Sequence, residues 1–103
     1  MPRPEPRLTR KALAGLEAIH RYIKQDSPES ASATIERIIS EVDRLVEFSI
    51  SHKVVSRSRT RGNPIHALSV PPFIVYYRID LPEQQVVILD VRHGARRQLR
   101  RFE

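Results

Sequence analysis

Two hydrophobic periods divide this chain. After Thr9, apolar residues fall at Ala12, Leu13, Leu16, Ile19, Tyr22 and Ile23, the three-and-four spacing of a helix with one apolar stripe. Thr9 suits the N-cap, because its hydroxyl can accept from an orphan backbone N–H of the first turn. Gly15 sits inside the stripe at a cost of about 1 kcal/mol relative to Ala. This helix is expected to end near Gln25. Ser27-Pro28 then opens a second helix, with Ser27 as cap and Pro28 in the first turn, where its missing N–H costs nothing. Its stripe is Ala31, Ile35, Ile38, Val42 and Leu45, widened by Ile39 and Val46. The short Asp26-Ser27 link makes the two helices an antiparallel hairpin.

From Ser49 to Pro64 the pattern dissolves into Ser, Arg, Lys, Gly and Pro. We read it as a mobile basic loop, with a short strand near Lys53–Ser56. Beyond it the period becomes two. Ile65–Val70, Phe73–Asp80 and Gln85–Arg92 are expected strands, separated by Pro71-Pro72 and by a turn at Leu81–Gln84. The last two form an apolar hairpin. Arg7-Leu8 is a candidate short strand ahead of the first helix, and residues 1–7 are otherwise extended. Helices followed by a sheet predict an α+β fold, a helix hairpin packed on a small antiparallel sheet with the other sheet face open.

The length of 103 residues fits one domain over 1–103, with a basic tail at 94–103. So small a chain has a small core, to which a bound partner can add much stability. The formal charge of +6 is unevenly placed: residues 1–51 balance, and residues 52–103 carry the whole excess. Such asymmetry favours a polyanion or an acidic protein as partner; the plainer reading is a solvated surface. The sequence has no apolar run of transmembrane length and no secretory h-region, so a cytoplasmic protein without membrane contact is expected. Without cysteine there are no disulfides or thiolate metal sites, and no metal or cofactor is expected.

At the level of motifs, the chain resembles the RelE/ParE toxin superfamily, and its ParE-like branch in particular. The likeness runs over about residues 8–97. It is carried by Ala12, Leu16, Ile19 and Tyr22-Ile23 in the first helix, by the Pro28-x-x-Ala31 step into the second, and most strongly by the hairpin. There Val75-Tyr76-Tyr77-Arg78-Ile79 is followed by Val87-Ile88-Leu89-Asp90-Val91-Arg92-His93-Gly94-Ala95-Arg96-Arg97. The departure is in the middle, where Gly-Arg and Leu-Arg elements common in the family are replaced by SRSRTRGNPIHALSV. The resemblance implies the toxin of a type II toxin–antitoxin module of the plasmid-stabilisation kind, working as a hetero-oligomer with a cognate antitoxin. That antitoxin would wrap the toxin with a helix and an extended segment, on the open sheet edge and an exposed apolar groove.

Two activities occur in the superfamily: poisoning of DNA gyrase by ParE-like members, and ribosome-dependent cleavage of mRNA by RelE-like endoribonucleases. Cleavage through the 2′-OH needs a base, cations for the phosphorane and an acid for the leaving oxygen. Arg78, Arg92 and Arg96 could supply charge, His93 has a suitable ordinary pKa, and Tyr76 or Tyr77 could stack on a base. Plainer readings stand beside these. Arg78 can face solvent. Taken by strict alternation, Val87, Leu89, Val91 and His93 share one strand face, and His93 then ends a buried stripe as a structural residue. Tyr76 and Tyr77 face opposite ways, so one belongs to the core. His52 and His66 read as surface residues, and His20 as lying at the polar edge of its helix. RelE-like nucleases commonly place Lys and Arg over the mid-chain and central strands, and the one lysine in the second half of this chain is Lys53, so a Lys-dependent catalytic cluster is not evident. The balance is toward the ParE branch, a gyrase poison needing no chemistry of its own. The resemblance then assigns target contact to Arg92, His93, Arg96 and Arg97. Arg100 and Arg101 follow at helical spacing in the same tail, which also reads as a solvated basic end.

Overall fold

The computed structural model describes residues 5–51, 65–80, 83 and 85–94. The element order is β1 (Arg7–Leu8), α1 (Arg10–Lys24), α2 (Pro28–Ser51), β2 (His66–Val70), β3 (Phe73–Asp80) and β4 (Gln85–His93). The sheet order is β1-β4-β3-β2, with β1 parallel to β4 and the other pairs antiparallel. The fold is α+β, as expected, and the short first strand makes the sheet mixed rather than wholly antiparallel.

Each helix begins where its cap dictates. The Thr9 hydroxyl accepts from the Ala12 N–H at 3.1 Å, and the Ser27 hydroxyl accepts from the Ser30 N–H at 3.1 Å. Thr9 also fastens α1 to the sheet. Its N–H donates to the Ile88 carbonyl at 3.1 Å, and its hydroxyl lies 3.0 and 3.1 Å from the carbonyl oxygens of Ile88 and Leu89. Thr9→Ala removes a cap and a tertiary tether together, and is expected to cost about 1–2 kcal/mol. Thr9→Ser should retain most of that. The urea midpoint of the two variants checks this; an unchanged midpoint in Thr9→Ala would refute it.

The core lies between the helix hairpin and one sheet face. Ala12 and Leu16 of α1, Ile38, Val42 and Val46 of α2, and Val70, Phe73, Val75, Val86, Ile88 and Val91 of the sheet form one buried cluster. The predicted stripes hold at their centres and thin at their edges, where Leu13, Tyr22 and Ile39 are exposed. Helix α2 runs to Ser51 and so includes Ser49, the expected start of a loop; the rest of that stretch, with the expected strand at Lys53–Ser56, lies outside the described residues.

One irregularity sets the geometry of β4. Tyr76 pairs with Asp90 but Tyr77 pairs with Ile88, so Leu89 is an extra residue and the strand bulges. Cross-strand partners share a face. Val86 and Ile88 therefore join Val91 and His93 on the helix-covered face, opposite Ile79, Tyr77, Val75 and Phe73. The expected stripe of Val87, Leu89, Val91 and His93 is corrected: Val87 pairs with Arg78 on the other face. The bulge shifts the parity once, in the middle of the strand.

Candidate functional site

The β3–β4 hairpin carries the candidate residues, and its register separates them. Ile74, Tyr76, Arg78 and Asp80 stand on the face away from the core, as does Arg92, which pairs with Ile74. Tyr77, packed on the core, is the inward-facing member of the tyrosine pair. It stacks on His66 with ring centroids 5.2 Å apart, and burial pushes its phenol above the ordinary value. His66 is thus half-buried against an aromatic ring and is not a plain surface residue. His20 is half-buried and lines a groove with Leu16, Glu17, Arg21, Lys24 and Ile35.

His93 ends the helix-covered face. It is exposed and meets Phe73 edge-on, with ring centroids 5.5 Å apart and planes at 82°. It is therefore not the buried end of a stripe. Beside it runs a groove of about 740 Å³ lined by Ile19, Tyr22, Ile23, Arg37, Phe73 and His93, among others. The Pro71-Pro72 turn contributes Pro72 to this groove and is held from two sides. Arg37 of α2 donates to the Pro71 carbonyl, and the Gly94 N–H donates to the Pro72 carbonyl at 2.6 Å.

Arg78 and His93 are not brought together. Their register partners are Val87 and Phe73, so they stand on opposite faces, five residues apart along the hairpin, or about 17 Å. Proton transfer requires hydrogen-bond reach or a single bridging water. The Arg78 guanidinium lies 4.0 Å from the Asp80 carboxylate on its own strand.

Arg92 is engaged by a residue that sequence spacing does not single out. Asp90 is 3% exposed and is the single buried charged residue among those described. One carboxylate oxygen accepts from the Val91 N–H at 2.8 Å; the other accepts from Arg92 Nε and lies 3.9 Å from Lys11 Nζ. The local cause is the shortness of β1, which ends at Leu8 opposite Ile88. Past that point the outer edge of β4 has no strand partner, and Asp90 satisfies one of its N–H groups. Helix α1 covers the same edge, with Gly15 against Val91 and Asp90. The available signal is a lone carboxylate within the apolar run VVILDV, since a buried charge needs partners close by.

Arg96, Arg97, Arg100 and Arg101 lie outside the described residues, as do His52 and Lys53. Among the described residues no cluster of His, Asp or Glu could hold a metal ion, and no helix is long and apolar enough to cross a membrane.

A helix hairpin on a four-stranded mixed sheet, with Arg92 and His93 at the end of its last strand, is the frame of a small α+β domain. Known proteins place it more closely. Residues 7–98 match the family described as "ParE toxin of type II toxin-antitoxin system, parDE". A protein of Sinorhizobium fredii named "Putative toxin Y4kP" is 34% identical over 94 residues, covering 91% of this chain and 92% of the relative. Among solved structures, a chain of "Chromosomal ParDE TA system from P. aeruginosa" superposes with a TM-score of 0.60 at 25% identity, over 88% of this chain and 96% of that one. The chain belongs to the ParE toxin family.

Proposed function

We propose that this ParE-family toxin poisons DNA gyrase and is held inactive by a cognate antitoxin. The observation that carries the gyrase reading is the separation of Arg78 from His93 by a full sheet thickness and about 17 Å. A ribonuclease built on Arg78, His93 and Arg96 needs these groups around one phosphate, whereas a poison needs only a surface that grips the enzyme–DNA complex. The contact surface we assign is the end of β4 and the tail beyond it: Arg92, His93, Arg96, Arg97, Arg100 and Arg101. The charge excess of the second half supports a polyanionic partner there.

The similarity to a chain of a ParDE system supports an antitoxin partner. The groove beside His93 presents Ile19, Tyr22, Ile23 and Phe73, a surface suited to the apolar face of an antitoxin helix.

The test mixes purified toxin with gyrase, ATP and supercoiled plasmid. Linear DNA is expected to accumulate, to require gyrase, and to disappear when antitoxin is added first. Intact plasmid at doses that still arrest growth, together with cut mRNA on ribosomes, would overturn the gyrase reading and favour the endoribonuclease.

A further inference from the structure

We infer that Asp90 is a positioning residue for toxicity, acting by holding Arg92 in place; this rests on the assignment of Arg92 to the target surface. Three observations meet at this carboxylate. It is almost wholly buried on a strand whose remaining buried residues are aliphatic. Its Oδ1 takes the Val91 N–H that the short β1 leaves unpaired. Its Oδ2 is committed to two cations, Arg92 on the same strand and Lys11 on α1.

The first interaction has a purely structural purpose, and an amide oxygen would serve it as well. The second does not. A neutral side chain of the same shape could cap Val91 but could not hold a guanidinium and an ammonium. A buried carboxylate is costly to desolvate, and well-placed cations together with hydrogen bonds offset that cost. Its effect is to fix the guanidinium of Arg92, 29% exposed at the side chain, at the last turn of strand before the basic tail. An arginine already fixed loses less side-chain entropy when a target binds, so binding is tighter for the same charge. Lys11 adds a second cation at the same carboxylate, so the three side chains together carry one net positive charge at this corner.

The experiment is a double-mutant cycle on Asp90→Asn and Arg92→Ala, read as the toxin concentration for half-maximal DNA trapping and, in cells, as the toxin level that arrests growth. Melting temperature and antitoxin affinity are measured alongside. Asp90→Asn preserves the Oδ1 acceptor, and should fold and bind antitoxin like the parent while losing about tenfold in potency. Arg92→Ala should lose at least as much, and the double variant no more than Arg92→Ala alone. Additive losses, or full potency in either single variant, would overturn the proposal. If Asp90→Asn does not fold, Arg92→Lys decides. It keeps the charge and removes the Nε donor, so full potency refutes positioning and a tenfold loss supports it. Should gyrase prove not to be the target, trapping is absent for every variant while the growth-arrest cycle still reports the Asp90–Arg92 coupling. Failure of the target reading is thereby separate from failure of this one.

Discussion

Gly15→Ala is expected to destabilise the protein by roughly 2 kcal/mol, even though alanine is the better helix former by about 1 kcal/mol. A Cβ at this position would lie 2.6 Å from the Val91 carbonyl oxygen, 3.2 Å from Asp90 Oδ1 and 3.4 Å from the Val91 nitrogen. The nearest obstacle is backbone in a paired strand and cannot swing aside like the tip of a side chain. Either α1 retreats from β4, opening the packing of Ala12 and Leu16, or β4 shifts and disturbs its ladder with β3. In the first case Lys11 withdraws from Asp90, and in the second Asp90 moves with its strand. Gly15→Val should be worse, since its branch atoms enter the same space. Equilibrium unfolding in urea, with the exposed neighbour Ala14→Gly as a propensity control, separates the two effects. Ala14→Gly should lose about 1 kcal/mol from propensity alone. A Gly15→Ala protein more stable than the parent would mean that α1 can move away from the sheet at no cost.

Gly15 also marks a boundary on what can be read from the chain. The sequence displays the glycine and its propensity penalty, but the reason for it sits seventy-six residues away in β4. Local spacing is enough for the helix stripes, both caps and the β3 limits, because each rests on neighbours within a turn or two of chain. The end of α2 is hidden for a compositional reason. The Ser-rich stretch after Phe48 resembles loop, although Ile50 follows Val46 at a helical spacing of four. The parity of β4 is legible only past the bulge, where Val91 and His93 share a face as alternation expects. VVILDV has no alternation to count from, and the bulge at Leu89 is defined only against the register of β3.

The candidate site divides along the same line. Residue types are legible, and Arg92 and His93 do stand together at the strand end. Their faces follow from alternation, Arg78 off the Tyr77 face and His93 on that of Val91, so Arg92 and Arg78 lie on one side of the sheet and His93 on the other; the exposure of His93 is what spacing does not show. His66 looks solitary in sequence because its companion, Tyr77, belongs to the neighbouring strand. Asp90 looks like one more polar residue at a strand end. Its burial follows from α1 crossing the edge that β1 vacates, a tertiary event whose one mark in the local sequence is a carboxylate inside an apolar run.

Ile88→Ala is expected to cost the isolated toxin about 3 kcal/mol. Ile88 is 1% exposed and is among the largest fully buried side chains, within the cluster formed by both helices and the sheet. Its neighbours are held by backbone on every side: β3 through Tyr77, β1 through Leu8, and α1 through the Thr9 N–H on its own carbonyl. Little can relax into the vacated volume, which keeps the loss within the range of about 2–5 kcal/mol for buried aliphatic truncations. Domains of this size hold only about 5–15 kcal/mol in total. The variant alone should therefore melt well below the parent, while the proposed antitoxin restores it by mass action. A ligand at a thousand times its Kd adds about 4 kcal/mol to the folded state, more than the truncation removes. Circular dichroism melts of both proteins over a series of antitoxin concentrations measure this. The Ile88→Ala transition should climb with antitoxin at the same slope as the parent's, because the truncated side chain is internal and the partner surface is intact. A flat series for both proteins would mean that the added protein does not bind the folded toxin. A flat series for Ile88→Ala alone would place Ile88 in the partner surface and contradict its burial in the core.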